Sequence, residues 1–94
     1  MDEAIEISLD RVRAVILDFG ENRFSTADVI RGYCGGFFSN SGTPVHYSLN
    51  AQFGKLLKRN VGVLGIEQLE ADVRIVDDRS PPVATSSSFW RRKA

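Results

Sequence analysis

Between Ser8 and Phe19 the apolar residues Leu9, Val12, Val15, Ile16 and Phe19 recur in steps of three and four, which places them on one face of a helix. Arg11, Arg13 and Asp18 fall on its other faces. Ser8 is suited to cap the start, and Gly20 is expected to supply the left-handed residue that ends many helices. A second helix is signalled at Ser25, followed three residues later by Asp28, an acidic form of the capping box. Phe24 before the cap and Val29 after it have the spacing of a hydrophobic staple. This helix is predicted to run to about Tyr33 and to stop at Gly35-Gly36, with Arg23-Phe24 ahead of it as a short extended bridge.

The turn-forming stretch Ser39-Asn40-Ser41-Gly42-Thr43-Pro44 then breaks the periodicity. Of the adjacent aromatics Phe37 and Phe38, one is expected in the core. A third helix is predicted from about Ser48 to Asn60, burying Leu49, Phe53, Leu56 and Leu57 and turning Gln52, Lys55 and Arg59 outward. Gly54 within it costs about 1 kcal/mol of helix propensity, which points to close approach by another helix. After Gly65 the period changes to two. Leu69, Ala71, Val73 and Ile75 alternate with Gln68, Glu70, Asp72 and Arg74, as in a half-buried strand. Asp77 to Pro82 reads as a turn and Val83 to Trp90 as the returning antiparallel strand. Helix, helix, helix, hairpin is the α+β order of a winged helix-turn-helix, with a two-stranded β-hairpin as the wing. The expectation is one such domain over residues 1–94, with an N-terminal arm at 1–6 and a basic tail at 91–94.

Composition narrows the class. A chain of 94 residues, 43% hydrophobic and 26% charged, suits one folded domain and lacks the low hydrophobicity and high net charge of disorder. The longest aliphatic run, Ala14 to Leu17, is far below the ~20 residues a bilayer core requires, so no membrane partner is expected. The acidic start Met1-Asp2-Glu3 is unlike the basic start of a signal or transit peptide, so a cytoplasmic location is expected. The formal net charge of zero hides an asymmetry. Residues 1–54 hold four basic and seven acidic side chains, whereas residues 55–94 hold eight basic and five acidic. The basic excess therefore falls in the half that carries the third helix and the hairpin.

Catalytic chemistry finds few materials here. His46 is the only histidine and Cys34 the only cysteine, and the local sequence supplies no third group to orient a nucleophile–base pair. Cys34 is expected to be a small buried hydrophobe at the end of the second helix. One cysteine forms neither an internal disulfide nor a thiolate zinc cluster. The paired acids Asp77-Asp78 fall in a turn, where aspartate serves local hydrogen bonding, and Arg79 beside them opposes a metal. Gly35-Gly36 lacks the Lys-Ser/Thr of a phosphate-binding loop. The expectation is a protein that is not an enzyme and has no cofactor and no metal.

A winged helix-turn-helix commonly lays its third helix in the DNA major groove and touches the backbone with its wing. Gln52, Lys55, Lys58 and Arg59 give that helix the polar, cationic outer face required, since glutamine pairs with adenine and lysine or arginine with guanine or phosphate. Arg79 near the wing tip, and Arg91, Arg92 and Lys93 in the basic tail, are candidate phosphate contacts. So are Ser39, Asn40, Ser41 and Thr43, ahead of the third helix. Trp90 is expected as a lid over the core rather than as a base-stacking platform.

The segment Ala51-Gln52-Phe53-Gly54-Lys55-Leu56-Leu57-Lys58 resembles the A-x-F-G-K-L segment of winged-helix domains of the regulatory factor X type, and is similar to winged helices attached to some viral and plasmid primase-helicases. The resemblance covers about eight residues. It implies a core role for Phe53, close packing at Gly54, DNA contacts at Lys55 and Lys58, and double-stranded DNA as partner. The wing departs from that family's basic, glycine-rich pattern, because Asp77-Asp78-Arg79-Ser80-Pro81-Pro82 carries two acids and two prolines. A mode led by the helix is therefore expected, in a small transcriptional regulator or accessory factor. A homodimer formed through the first helix or the Phe37-Phe38 loop would raise a weak monomer affinity. The alternative is a winged helix used for protein–protein contact without nucleic acid, with Phe37, Phe38 and Trp90 as its anchor residues.

Overall fold

A computed structural model of the chain describes residues 7–37 and 49–93. The elements run α1 (Leu9–Leu17), β1 (Arg23–Ser25), α2 (Thr26–Cys34), α3 (Leu49–Arg59), α4 (Val61–Leu64), β2 (Ile66–Val76) and β3 (Ala84–Arg92). The architecture is α+β, with four helices and a three-stranded antiparallel sheet among the described residues. The predicted arm at 1–6, and with it Phe38, the Ser39–Thr43 turn and His46, lie outside the described residues.

Local signals act where they were expected. Ser8 Oγ accepts from the Arg11 N–H at the start of α1. The capping box of α2 is complete: Ser25 Oγ accepts from the Asp28 N–H at 3.0 Å, and Asp28 Oδ2 accepts from the Ser25 N–H at 2.9 Å. Gly35, left-handed at φ 89°, ends α2.

Other expectations are overturned by contacts from distant parts of the chain. Gly20 does not end α1, which stops at Asp18 in a right-handed conformation. The guanidinium of Arg92 instead donates to the carbonyls of Ile16, Leu17 and Phe19 at 3.2–3.4 Å. A cation at a helix C-terminus also opposes the helix dipole favourably. Close helix packing occurs at Gly32, not Gly54. A Cβ at Gly32 would lie 2.5 Å from Val15 Cγ1 of α1, whereas one at Gly54 would meet nothing within 4 Å. Cys34 is exposed rather than buried, because the helix ends with it on the solvent side.

The sheet has one strand more than the two-stranded hairpin expected. The three residues of β1 pair with β3, so the order is β1-β3-β2. The alternating pattern of β2 also fails in its middle. Register shifts between Gln68 and Val73 break the pairing, Asp72 sits at φ 55°, and Leu69 and Ala71 face solvent. Only Val73 and Ile75 keep the predicted inward side, because a bulge resets which face a strand presents.

The core lies between the helices and one face of the sheet. Val12 and Ile16 of α1, Val29 and Ile30 of α2, and Phe53 and Leu57 of α3 meet Phe24, Ile66 and Trp90 from the strands. Side chains of this kind contribute roughly 1.5–3 kcal/mol each when fully buried. Trp90 is a core residue as expected, and its indole N–H donates to the buried Thr26 hydroxyl at 2.9 Å. Phe37 is the aromatic tucked into the core.

Candidate functional site

The outward face of α3 is built by helical spacing. Phe53 and Leu57 hold one side in the core, which turns Lys55, Lys58 and Arg59 to solvent. Among the described residues none of these three cations has an ion-pair partner. Gln52, at the margin of the same face, is half-buried and already engaged with the rest of the chain.

Most other cations are committed. Arg31 bridges Asp28 and Asp78, each at 3.0 Å. Arg23 pairs with Glu70 at 3.0 Å across the outer face of the sheet and lies over the Phe89 ring. Arg91 pairs with Glu67 on the neighbouring strand. Arg79 faces the buried Asp77 carboxylate at 3.5 Å. Arg92 caps α1. The basic tail is therefore not a free tail: Arg91 and Arg92 belong to β3, and the Lys93 N–H donates to Gly65 O at 2.8 Å, leaving its ammonium exposed. The hairpin does offer one cation that its place in the sequence pattern had marked only as outward-facing. Arg74 of β2 stands opposite Ser86, exposed and without an ion pair among the described residues.

The turn at the hairpin tip is held by its acids. Asp77 Oδ1 accepts from the N–H groups of Arg79 at 3.1 Å and Val83 at 2.8 Å. Asp78 reaches back to the end of α2, where its carboxylate accepts from the Phe37 N–H at 2.8 Å and from Arg31 Nε at 3.0 Å. The Phe37 hydrogen bond foremost, then Arg31, holds the Asp78 carboxyl below its ordinary value. The tip is thus fixed to α2 and presents acids where a basic wing would present cations.

Between α3 and the hairpin lies an open groove of about 230 Å3, walled by Ala51 and Gly54 on the helix side and by Asp72 and Ser86–Ser88 on the strand side. The two elements are tied together at its end by Asn50 Nδ2, which donates to Ser86 O at 3.3 Å.

No group of three or more metal-ligating side chains converges among the described residues, and none of their helices is long and apolar enough to cross a membrane. A scan against protein-family models matched none, and searches of curated proteins and of solved structures returned no significant match.

Proposed function

We propose that the chain is a winged-helix domain that binds double-stranded DNA through the outer face of α3, as a small regulator or accessory factor and not as an enzyme. One observation carries this reading. Lys55, Lys58 and Arg59 stand together on one exposed helix face with no acid paired to them among the described residues, while most other cations are committed. Such a face is the electrostatic footprint of a phosphate-binding surface. The order of elements supports it. Three longer helices, and the one-turn α4 that the three-helix expectation did not include, are followed by a hairpin whose second strand lies at the centre of the sheet, between β2 and a short strand from the α1–α2 connection, an order compatible with a winged helix. Arg74 takes the backbone-contacting part for which Arg79 was expected. The protein-contact alternative has lost two of its three anchors, because Phe37 and Trp90 are each 1% exposed.

Titration of a random-sequence duplex by fluorescence anisotropy tests the reading. Three phosphate contacts from α3 give a log–log salt slope of about −2.7, so that raising salt from ~50 to ~200 mM weakens binding roughly 40-fold, and a further contact from Arg74 steepens the dependence. Binding should disappear in Lys55→Glu/Arg59→Glu. Folded protein that retains no duplex at ~50 mM salt would refute the proposal.

A further inference from the structure

The groove beside α3 has a chemistry that the cationic face does not explain. Two of its hydroxyls are already used. Thr26 Oγ1 accepts from the Trp90 indole and donates to Ser88 O, and Ser87 Oγ accepts from the Ala27 N–H and donates to Ser88 O. What stays open among the described residues is rich in acceptors: the Asp72 carboxylate, Asn50 Oδ1, and the hydroxyls of Ser86 and Ser88. Asp72 also has the one left-handed backbone outside glycine among the described residues, φ 55°, at the second register break of β2. Bulges of this kind re-aim a side chain, and aspartate tolerates the left-handed region better than most residues.

From this arrangement we propose that Asp72 reads an exocyclic amino group of a base, cytosine N4 foremost, in DNA held on α3; the inference rests on the DNA-binding reading above. A carboxylate repels phosphate, so the groove is no track for the backbone. It suits hydrogen-bond donors, and in the major groove those are the amino groups of cytosine and adenine, with aspartate matching cytosine N4. The helix places the charges accordingly. Lys55 follows Ala51 by four residues and Lys58 follows Gly54 by four, so each cation stands one turn along from a wall of the groove. Phosphates then meet lysines while base edges between them meet Asp72. An arginine from a protein partner also suits Asp72, but it would approach past Lys55 and Lys58, and this favours DNA.

Selection from a randomised duplex pool, run with the wild type, Asp72→Asn and Asp72→Gly, decides the matter. Both replacements are compatible with a positive φ, and circular dichroism verifies that they fold. The wild type should enrich a C·G pair at one position. Asp72→Gly should lower that preference about tenfold, and Asp72→Asn should move it towards adenine, while both bind the unselected pool more tightly. Wild-type protein that retains duplex but yields the same enriched sequences as both variants overturns the role of Asp72 alone. Wild-type protein that retains no duplex overturns the DNA reading and this inference with it. Asp72-dependent capture of an arginine-rich peptide, with duplex selection unchanged, assigns the groove to a protein and overturns the inference as stated.

Discussion

Thr26 shows how a single side chain in this molecule serves several elements. Its hydroxyl is buried, opens α2, accepts from the Trp90 indole of β3 and donates to the Ser88 carbonyl. Thr26→Val keeps the shape and strands a buried N–H, so a loss of about 1–3 kcal/mol is expected in urea unfolding. Asp78 acts at the surface in the same connecting way. Its carboxyl is lowered in the folded state, so the latch it forms with Phe37 and Arg31 is complete above the ordinary value near 3.8 and is lost as pH falls through the lower folded value. The urea midpoint of the wild type should therefore decline on that acid limb, and Asp78→Asn should lower the midpoint at neutral pH and flatten the limb. An unchanged neutral-pH midpoint in the variant would deny the latch. At this scale the sequence was informative wherever a bond joins residues three apart, as at Ser8 and in the Ser25–Asp28 box. It was silent on Arg92, whose acceptors lie more than seventy positions away.

Elements follow the same division. The helical periods of α1, α2 and α3 and the start of α2 were legible, because each depends on neighbours one turn off. The place where α1 meets α2 was not, since the 2.5 Å approach at Gly32 is to Val15 on another helix. Gly32→Ala is accordingly expected to destabilise by about 1 kcal/mol, overpacking outweighing the gain in helix propensity. The loss should vanish in a Val15→Ala background. Gly54→Ala, with open space around it, should instead stabilise by up to about 1 kcal/mol. Thermal midpoints of the three variants check the set, and the opposite ranking would place the close contact on the wrong helix. For the hairpin, alternation was legible only as far as the pairing is regular. The bulged segment from Leu69 to Asp72 turned apolar residues outward and set a carboxylate beside α3, which no period-two pattern anticipates.

At the scale of the whole molecule, the charge asymmetry between the two halves was visible in the sequence, but its meaning depended on who pairs with whom. Eight cations in the second half include Arg79 and Arg91, held by acids, and Arg92, taken by α1. The three on α3 stay unpaired among the described residues, as do Arg74 and Lys93, so the expected footprint shrinks from helix, wing tip and tail to one helix face with Arg74 of the hairpin as its outlying contact. Paired removal of equal charge tests this most directly: Lys55→Gln/Arg59→Gln against Arg79→Gln/Arg91→Gln, each titrated with the same random duplex across a salt series. If α3 is the DNA face, the α3 pair lowers affinity at least tenfold at ~50 mM salt and reduces the salt slope by about two, while the hairpin pair stays within about twofold of wild type. Equal losses in the two pairs, or a loss confined to the hairpin pair, would contradict it.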